Sequence, residues 1–203
     1  MPHSLRWFRA SAVAPALGLL ALLGACVESP TDPGDANDAG APSARPAVTI
    51  PAAAARAVHG CDGATVVLSA DETRTLDLHN DTRRTLGLAE FCVDSTLTLA
   101  AREHSLEMLE KGYFSHDSFD GQSFDVRIHA LGFPVGRGLA ENVAWGTGWM
   151  GEADDVFARF MASESHHHNI VDPSLRRIGV GVAAGTYAGR DGARMYTVDF
   201  GTL

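Results

Sequence analysis

The chain has 203 residues, with 16 Lys and Arg against 25 Asp and Glu, a formal charge of −9 and 45% apolar residues. Lys111 is the only lysine, so there is no basic stripe of the kind that holds nucleic acid through its phosphates. The length suits one domain with a proper core, and the acidity serves solubility without pointing to a substrate.

The chain opens "MPHSLRWFRASAVAPALGLLALLGAC", in which Arg6 and Arg9 precede an apolar run from Ala12 to Leu23. This predicts a secretory signal over 1–25, too short and wrongly flanked for a transmembrane helix. The end of that stretch, Leu23-Gly24-Ala25-Cys26, resembles the lipobox of bacterial lipoproteins. That resemblance implies acylation of Cys26 and tethering to a membrane surface; the plainer alternative is a secreted protein cleaved near Ala25. Loss of the leader removes two arginines and takes the charge from −9 to −11. Residues 26–60 hold Cys26 and a stretch rich in Pro, Ala, Gly and Asp. It has too few large apolar residues to offset its ordering entropy, which predicts a disordered tether. The folded domain is then 61–203.

With Cys26 taken by the anchor, Cys61 and Cys92 remain. Two cysteines in an exported chain point to a disulfide, worth about 3 kcal/mol in the chain-entropy picture. The alternative is two separate thiols, and without CxxC spacing they do not suggest a metal site.

In "SADE", Ser69 and Glu72 form a capping-box pattern that predicts a helix to about Thr85, stopped by Gly87. A second helix follows "VDST", its apolar stripe carrying Leu97, Ala100, Ala101, Met108 and His104, and Gly112 ends it. A short helix fits Phe124 to Leu131. A fourth follows "WGTG", with Trp149, Ala153, Val156, Phe157 and Phe160 at helical spacing; Trp145 and Trp149 are expected to anchor the intervening turn to the core. "LAENVAW" is extended, and "RRIGVGVAAG" with "ARMYTVDFG" reads as a hairpin in which Met195, Thr197 and Asp199 alternate against Tyr196, Val198 and Phe200. Helices first and a hairpin last point to an α+β arrangement.

The order of the blocks "LDLHNDTRRTLGL", "YFSHDSFDG", "GLAENVAWG", "HHHNIVDPSLRRIGVGVA" and "YTVDFG" resembles the bacterial branch of the CAP superfamily. Its members are related to cysteine-rich secretory proteins, antigen 5 and plant pathogenesis-related 1. The resemblance spans about Thr73 to Gly201. It implies an α-β-α sandwich with a central antiparallel sheet flanked by helices, and a cleft lined by histidines and acids. Carried over residue by residue, the cleft falls on His116, on Glu141 (after Ala140, where relatives carry glycine) and on His166.

Many relatives have a second glutamate three residues after a helix tryptophan. Here Phe160 matches the tryptophan, and Ser163 stands at the acid's position. Glu164 is displaced by one residue, about 100° around a helix, and replaces the acid only if the helix ends or bends there. His166, His167 and His168 fan apart on a helix and alternate on a strand, so they cannot all face one cleft. His166 is in register, and His168 is the fallback if the segment is extended.

Two imidazoles and a carboxylate suit Zn²⁺ or another divalent metal, so His116, His166 and Glu141, with Glu164 or His168, are the candidate ligands. The alternative is a hydrogen-bonded polar cluster needing no ion. His79 and His104 are expected to pack in the core, and His129 to be solvated. No H-E-x-x-H and no G-x-S-x-G occurs. The resemblance therefore implies a membrane-tethered, monomeric binding module outside the cytoplasm for a lipid, sterol, other small apolar ligand or protein. The alternative is a metal-dependent hydrolase with a metal-bound water and Glu141 as base.

Overall fold

The computed structural model describes residues 55–203. The leader, Cys26 and nearly all of the tether, which carry the export and lipidation readings, lie outside the described residues. Among the described residues no helix is long and apolar enough to cross a membrane.

The first described strand lies inside the stretch read as tether. Arg56–His59 (β1) pairs antiparallel with Thr65–Leu68 (β2). The alternation in β2 explains this: Val66 and Leu68 are buried in the main core and Val58 packs against it, so the hairpin gains apolar burial that a polar tether lacks. Helix α1, Ala70–Thr85, starts on the expected capping box, with Ser69 and Glu72 each bonding the other's backbone. The short strand β3, Cys92–Val93, leads into α2, Ser95–Lys111. Asp94 caps α2 at one end, and Gly112 closes it in the left-handed conformation at the other. After a loop come α3, Phe124–Ala130, and β4, Leu139–Thr147. A single 3₁₀ turn over Gly148–Gly151 then precedes α4, Ala153–Ala162. Ser163 is extended, and α5 runs Glu164–Val171. Strands β5, Leu175–Tyr187, and β6, Arg190–Thr202, form the expected hairpin.

The main sheet has the order β3-β5-β6-β4, antiparallel except for the two-residue β3, which lies parallel to β5. Helices cover both faces, giving the expected α-β-α sandwich. On one face α1, α4 and α5 enclose the larger core around Phe157, Phe160, Ile178, Val198 and Phe200. On the other, α2 lies directly on β5. A Cβ at Gly179 would stand 2.1 Å from the Leu97 carbonyl carbon, and one at Gly181 2.2 Å from that of Ala101; the glycines of "IGVGV" are the seat of the helix. The apolar patches under α2 are separate, one around Leu97, Ile128 and Phe133 and one around Met108, Val143 and Met195. Buried polar residues, including Ser105, Thr197 and Asp199, share this face.

Arg83 is completely buried, and among the described residues it forms no ion pair; it donates to the carbonyls of Ala89, Ile170, Asp172 and Leu175, tying α1 to the chain around α5. β4 is an edge strand, and its outward carbonyls are engaged: Asn169 Nδ2 donates to Glu141 O and Arg159 Nη1 to Trp145 O. Trp149 departs from expectation: it is 70% exposed and stands on the 3₁₀ turn, while Trp145 is half-buried against Tyr187. His129 is half-buried rather than solvated, bonding Phe133 O through Nδ1 at the end of α3.

Cys61 and Cys92 are thiols in this structure, so the bond expected between them is not formed here. They stand side by side, with both sulfurs directed at Val93 O. Burial, and then the neighbouring Cys92, push the Cys61 thiol up to about 12.

Candidate functional site

His116 sits in the loop between α2 and α3, Arg127 on α3, Glu141 on β4 and His166 on α5, so four elements build the site. Glu141 has a fully buried side chain, and a carboxylate there must be paired. His116 Nδ1 meets Glu141 Oε1 at 2.8 Å, and Arg127 Nη2 takes Oε2. Arg127 is itself fixed by Ser118 Oγ at 3.1 Å and His116 O at 3.3 Å. The bond to Glu141 holds the His116 imidazole toward its charged form, while its ring stays half exposed at the cleft.

His166 is held differently. Asn142 donates to His166 O at 3.2 Å and accepts from Asn169 at 2.9 Å, clamping α5 to β4. The His166 ring packs edge-on against Phe160, with centroids 5.2 Å apart. Burial lowers its proton affinity, and the His116 charge nearby lowers it further. The two imidazoles are therefore unlike: His116 is held toward its charged form and His166 toward its neutral one.

Ser163 does interrupt the helix, ending α4 and starting α5. The break nevertheless leaves Glu164 exposed, lining a separate hollow with Ser165, His168 and Asn169. The second acid of the site comes instead from β6. Asp199 is the direct partner of Glu141 in the β4–β6 register, so the two side chains share a face of the sheet. It is completely buried, and among the described residues no donor reaches either of its oxygens. It can bond the Glu141 carboxylate only by carrying a proton itself. Burial, and then the Glu141 charge, push its carboxyl well above the ordinary range. His104 is fully buried and donates through Nε2–H to Ser115 O, 2.9 Å away.

The structure thus brings together His116, Glu141 and His166 and keeps Glu164 and His168 apart from them. Reading the sequence missed Arg127 and Asp199. The signal for Asp199 was its alternation with Met195 and Thr197 on a strand covered on both faces; the signal for Arg127 was the need of a buried Glu141 for a cation.

Both Glu141 oxygens are engaged, and among the described residues no group of three or more His, Cys, Asp or Glu is placed to hold a metal ion. The donors left open to a cation are the imidazoles of His116 and His166. Beside them an apolar cavity of about 270 Å³ runs along the edge of β4, walled by Phe114, Val143, Trp145, Phe160 and His166. Aromatic rings and the His166 imidazole at its walls can bind a small apolar molecule.

The sequence profile of the Cysteine-rich secretory protein family, CAP, matches residues 76–200. Uncharacterized protein YkwD of Bacillus subtilis (strain 168) is 35% identical over 115 residues, 56% of this chain. The match spans only 43% of that protein's length. Among solved structures, an extracellular protein containing an SCP domain from Bacillus anthracis superposes with a TM-score of 0.56 at 23% identity, over 66% of this chain and 40% of that one. An outer surface protein of Borrelia burgdorferi also gives a TM-score of 0.56 at 23% identity, covering 65% of this chain and 92% of the other. At such identities the superpositions speak to the fold alone. The profile covers well over half of the residues, and on that ground the chain belongs to the Cysteine-rich secretory protein family.

Proposed function

We propose that this chain is an extracytoplasmic binding module, tethered to a membrane surface through a lipid on Cys26. Its cleft takes a small apolar ligand between Phe114, Trp145 and Phe160, with His116 donating to the ligand's acceptor atom. The observation that carries this reading is the saturation of Glu141: one oxygen holds His116 and the other holds Arg127. A carboxylate so engaged orients an imidazole; it is a poor general base, because abstraction needs a free oxygen within reach of the substrate proton. Two proteins of similar fold, one extracellular and one an outer surface protein, support the reading of export.

A divalent cation fits this cleft only as a guest of His116 and His166, with Glu141 behind His116 as the group that orients the ring. Three protein ligands are the rule for catalytic zinc, so such a site is weak, and no reaction step is assigned to it. The reading is tested with the full chain against peptide and ester libraries, with and without added zinc, where no turnover is expected. Turnover abolished by both His116→Ala and Glu141→Ala would overturn it. A calorimetric zinc titration comparing wild type with a His116→Ala/His166→Ala double variant tests the guest site; equal uptake by both excludes the cleft.

A further inference from the structure

A second hollow, of about 290 Å³, continues the first along β4; the two share Trp145 and Arg159, and Met150 and Arg190 complete the second. Its aromatic wall is fixed, since the Trp145 ring stacks edge-on against Tyr187 with centroids 4.7 Å apart. Its charge is all of one sign. Arg159 spends Nη1 and Nη2 on the carbonyls of Trp145 and Met150, at 3.0 and 2.7 Å, which holds the guanidinium rigid without neutralising it. Arg190 is exposed at the start of β6. Among the described residues no carboxylate stands within ion-pair distance of either, whereas Arg56, Arg74, Arg84, Arg102, Arg177 and Arg194 each have one. In a chain with a formal charge of −9, an uncompensated pair of guanidiniums opening into a part-apolar hollow is the unusual local feature. Guanidinium forks match carboxylate and phosphate oxygens in geometry as well as charge.

We propose that this hollow is a head-group subsite for a single-chain amphiphile with a carboxylate or phosphate head. The head lies between Arg159 and Arg190, and the tail follows the Trp145 wall into the neighbouring cavity toward Phe114 and Phe160. This rests on the reading of that cavity as a binding site for apolar ligands, and it adds the sign of the ligand's charge and the direction in which it lies.

The test titrates the full chain with octanoate, octyl phosphate and uncharged octyl glucoside, following tryptophan fluorescence and calorimetry. Wild type is expected to bind the two anions about tenfold more tightly than the glucoside, the value of one charge-assisted contact. Arg190→Glu, at an exposed side chain with no carboxylate partner among the described residues, is expected to erase that preference, read as the ratio of anion to glucoside affinity. Arg190→Lys should keep part of it. Equal affinity of wild type for all three, or an unchanged preference in Arg190→Glu, overturns the subsite while the apolar cavity stands. Failure of all three to bind removes both the subsite and the apolar reading. Sedimentation with phosphatidylcholine vesicles carrying single-chain lysophosphatidylglycerol, against vesicles without it, separates the two sources of the head. Binding to the former that is lost in Arg190→Glu assigns a lipid, and anion binding without vesicle binding assigns a free acid or phosphate.

Discussion

His79 gives the sharpest test of how this fold responds to acid. It lies inside α1 with no solvent exposure, ringed by Phe91, Phe157, Phe160 and Phe200 at centroid distances of 4.9 to 6.5 Å. Nδ1–H donates to Thr75 O at 2.7 Å, and among the described residues Nε2 meets no partner. Burial among these rings pushes its pKa from 6.5 down to about 4, against the opposing effect of the Thr75 bond. The unfolded chain takes up this proton at about pH 6.5, whereas the folded chain refuses it until about pH 4. The contribution to stability is therefore complete above the unfolded value and is lost progressively as pH falls toward the folded one. Between pH 7 and about pH 4.5 the loss is about 2.5 kcal/mol, a large part of a domain's net stability. Urea unfolding of wild type and His79→Leu at these two pH values isolates it, because the other titrating groups are common to both. Wild type should lose about 2.5 kcal/mol more than the variant on acidification. Equal losses would refute the argument that this imidazole is kept neutral by its surroundings.

Asp199 has the opposite sign: its folded pKa is raised, so its contribution is present below the ordinary carboxyl range and fades as pH rises through the folded value. Asp199→Asn should therefore fold, lose this pH dependence and leave the His116 titration, read by NMR, unchanged; a fall in the His116 pKa would mean that Asp199 is ionised. Gly181→Ala places a methyl against the backbone of Ala101 and Arg102 and should cost at least about 2 kcal/mol in urea unfolding; a cost near zero would mean that α2 is not seated on β5. Exposure of the full chain to oxidised glutathione should join Cys61 to Cys92, reducing one glutathione disulfide to two thiols. The product, assayed by loss of the Cys61 and Cys92 thiols, should be about 3 kcal/mol more stable than the reduced form; persistence of these two thiols would contradict the side-by-side placement.

Most of the fold was legible because its signals are local. The Ser69–Glu72 box, Gly112 and the glycine-spaced "IGVGV" each follow from a short-range rule that the tertiary structure also needs. The miscalled places depend on contacts distant in sequence. Trp149 has helical spacing from Ala153, yet a 3₁₀ turn turns it outward. β1 falls in the stretch read as tether because Val58 alone of its four residues packs on the main core, alongside β2. In the site, register located His116, Glu141 and His166, but not the groups that set their charge. Arg127 lies 14 residues before Glu141, and Asp199 faces it across a strand pair. A side chain's proton affinity is decided by such neighbours, and no spacing rule reports them.

The side chains over the outer carbonyls of β4 bear on how the molecule lives among copies of itself. With Asn169 on Glu141 O and Arg159 on Trp145 O, this edge is poorly suited to templating another strand. The opposite edge, β3, is only two residues long. An edge guarded in this way lets copies of the chain crowd together without strand pairing along β4.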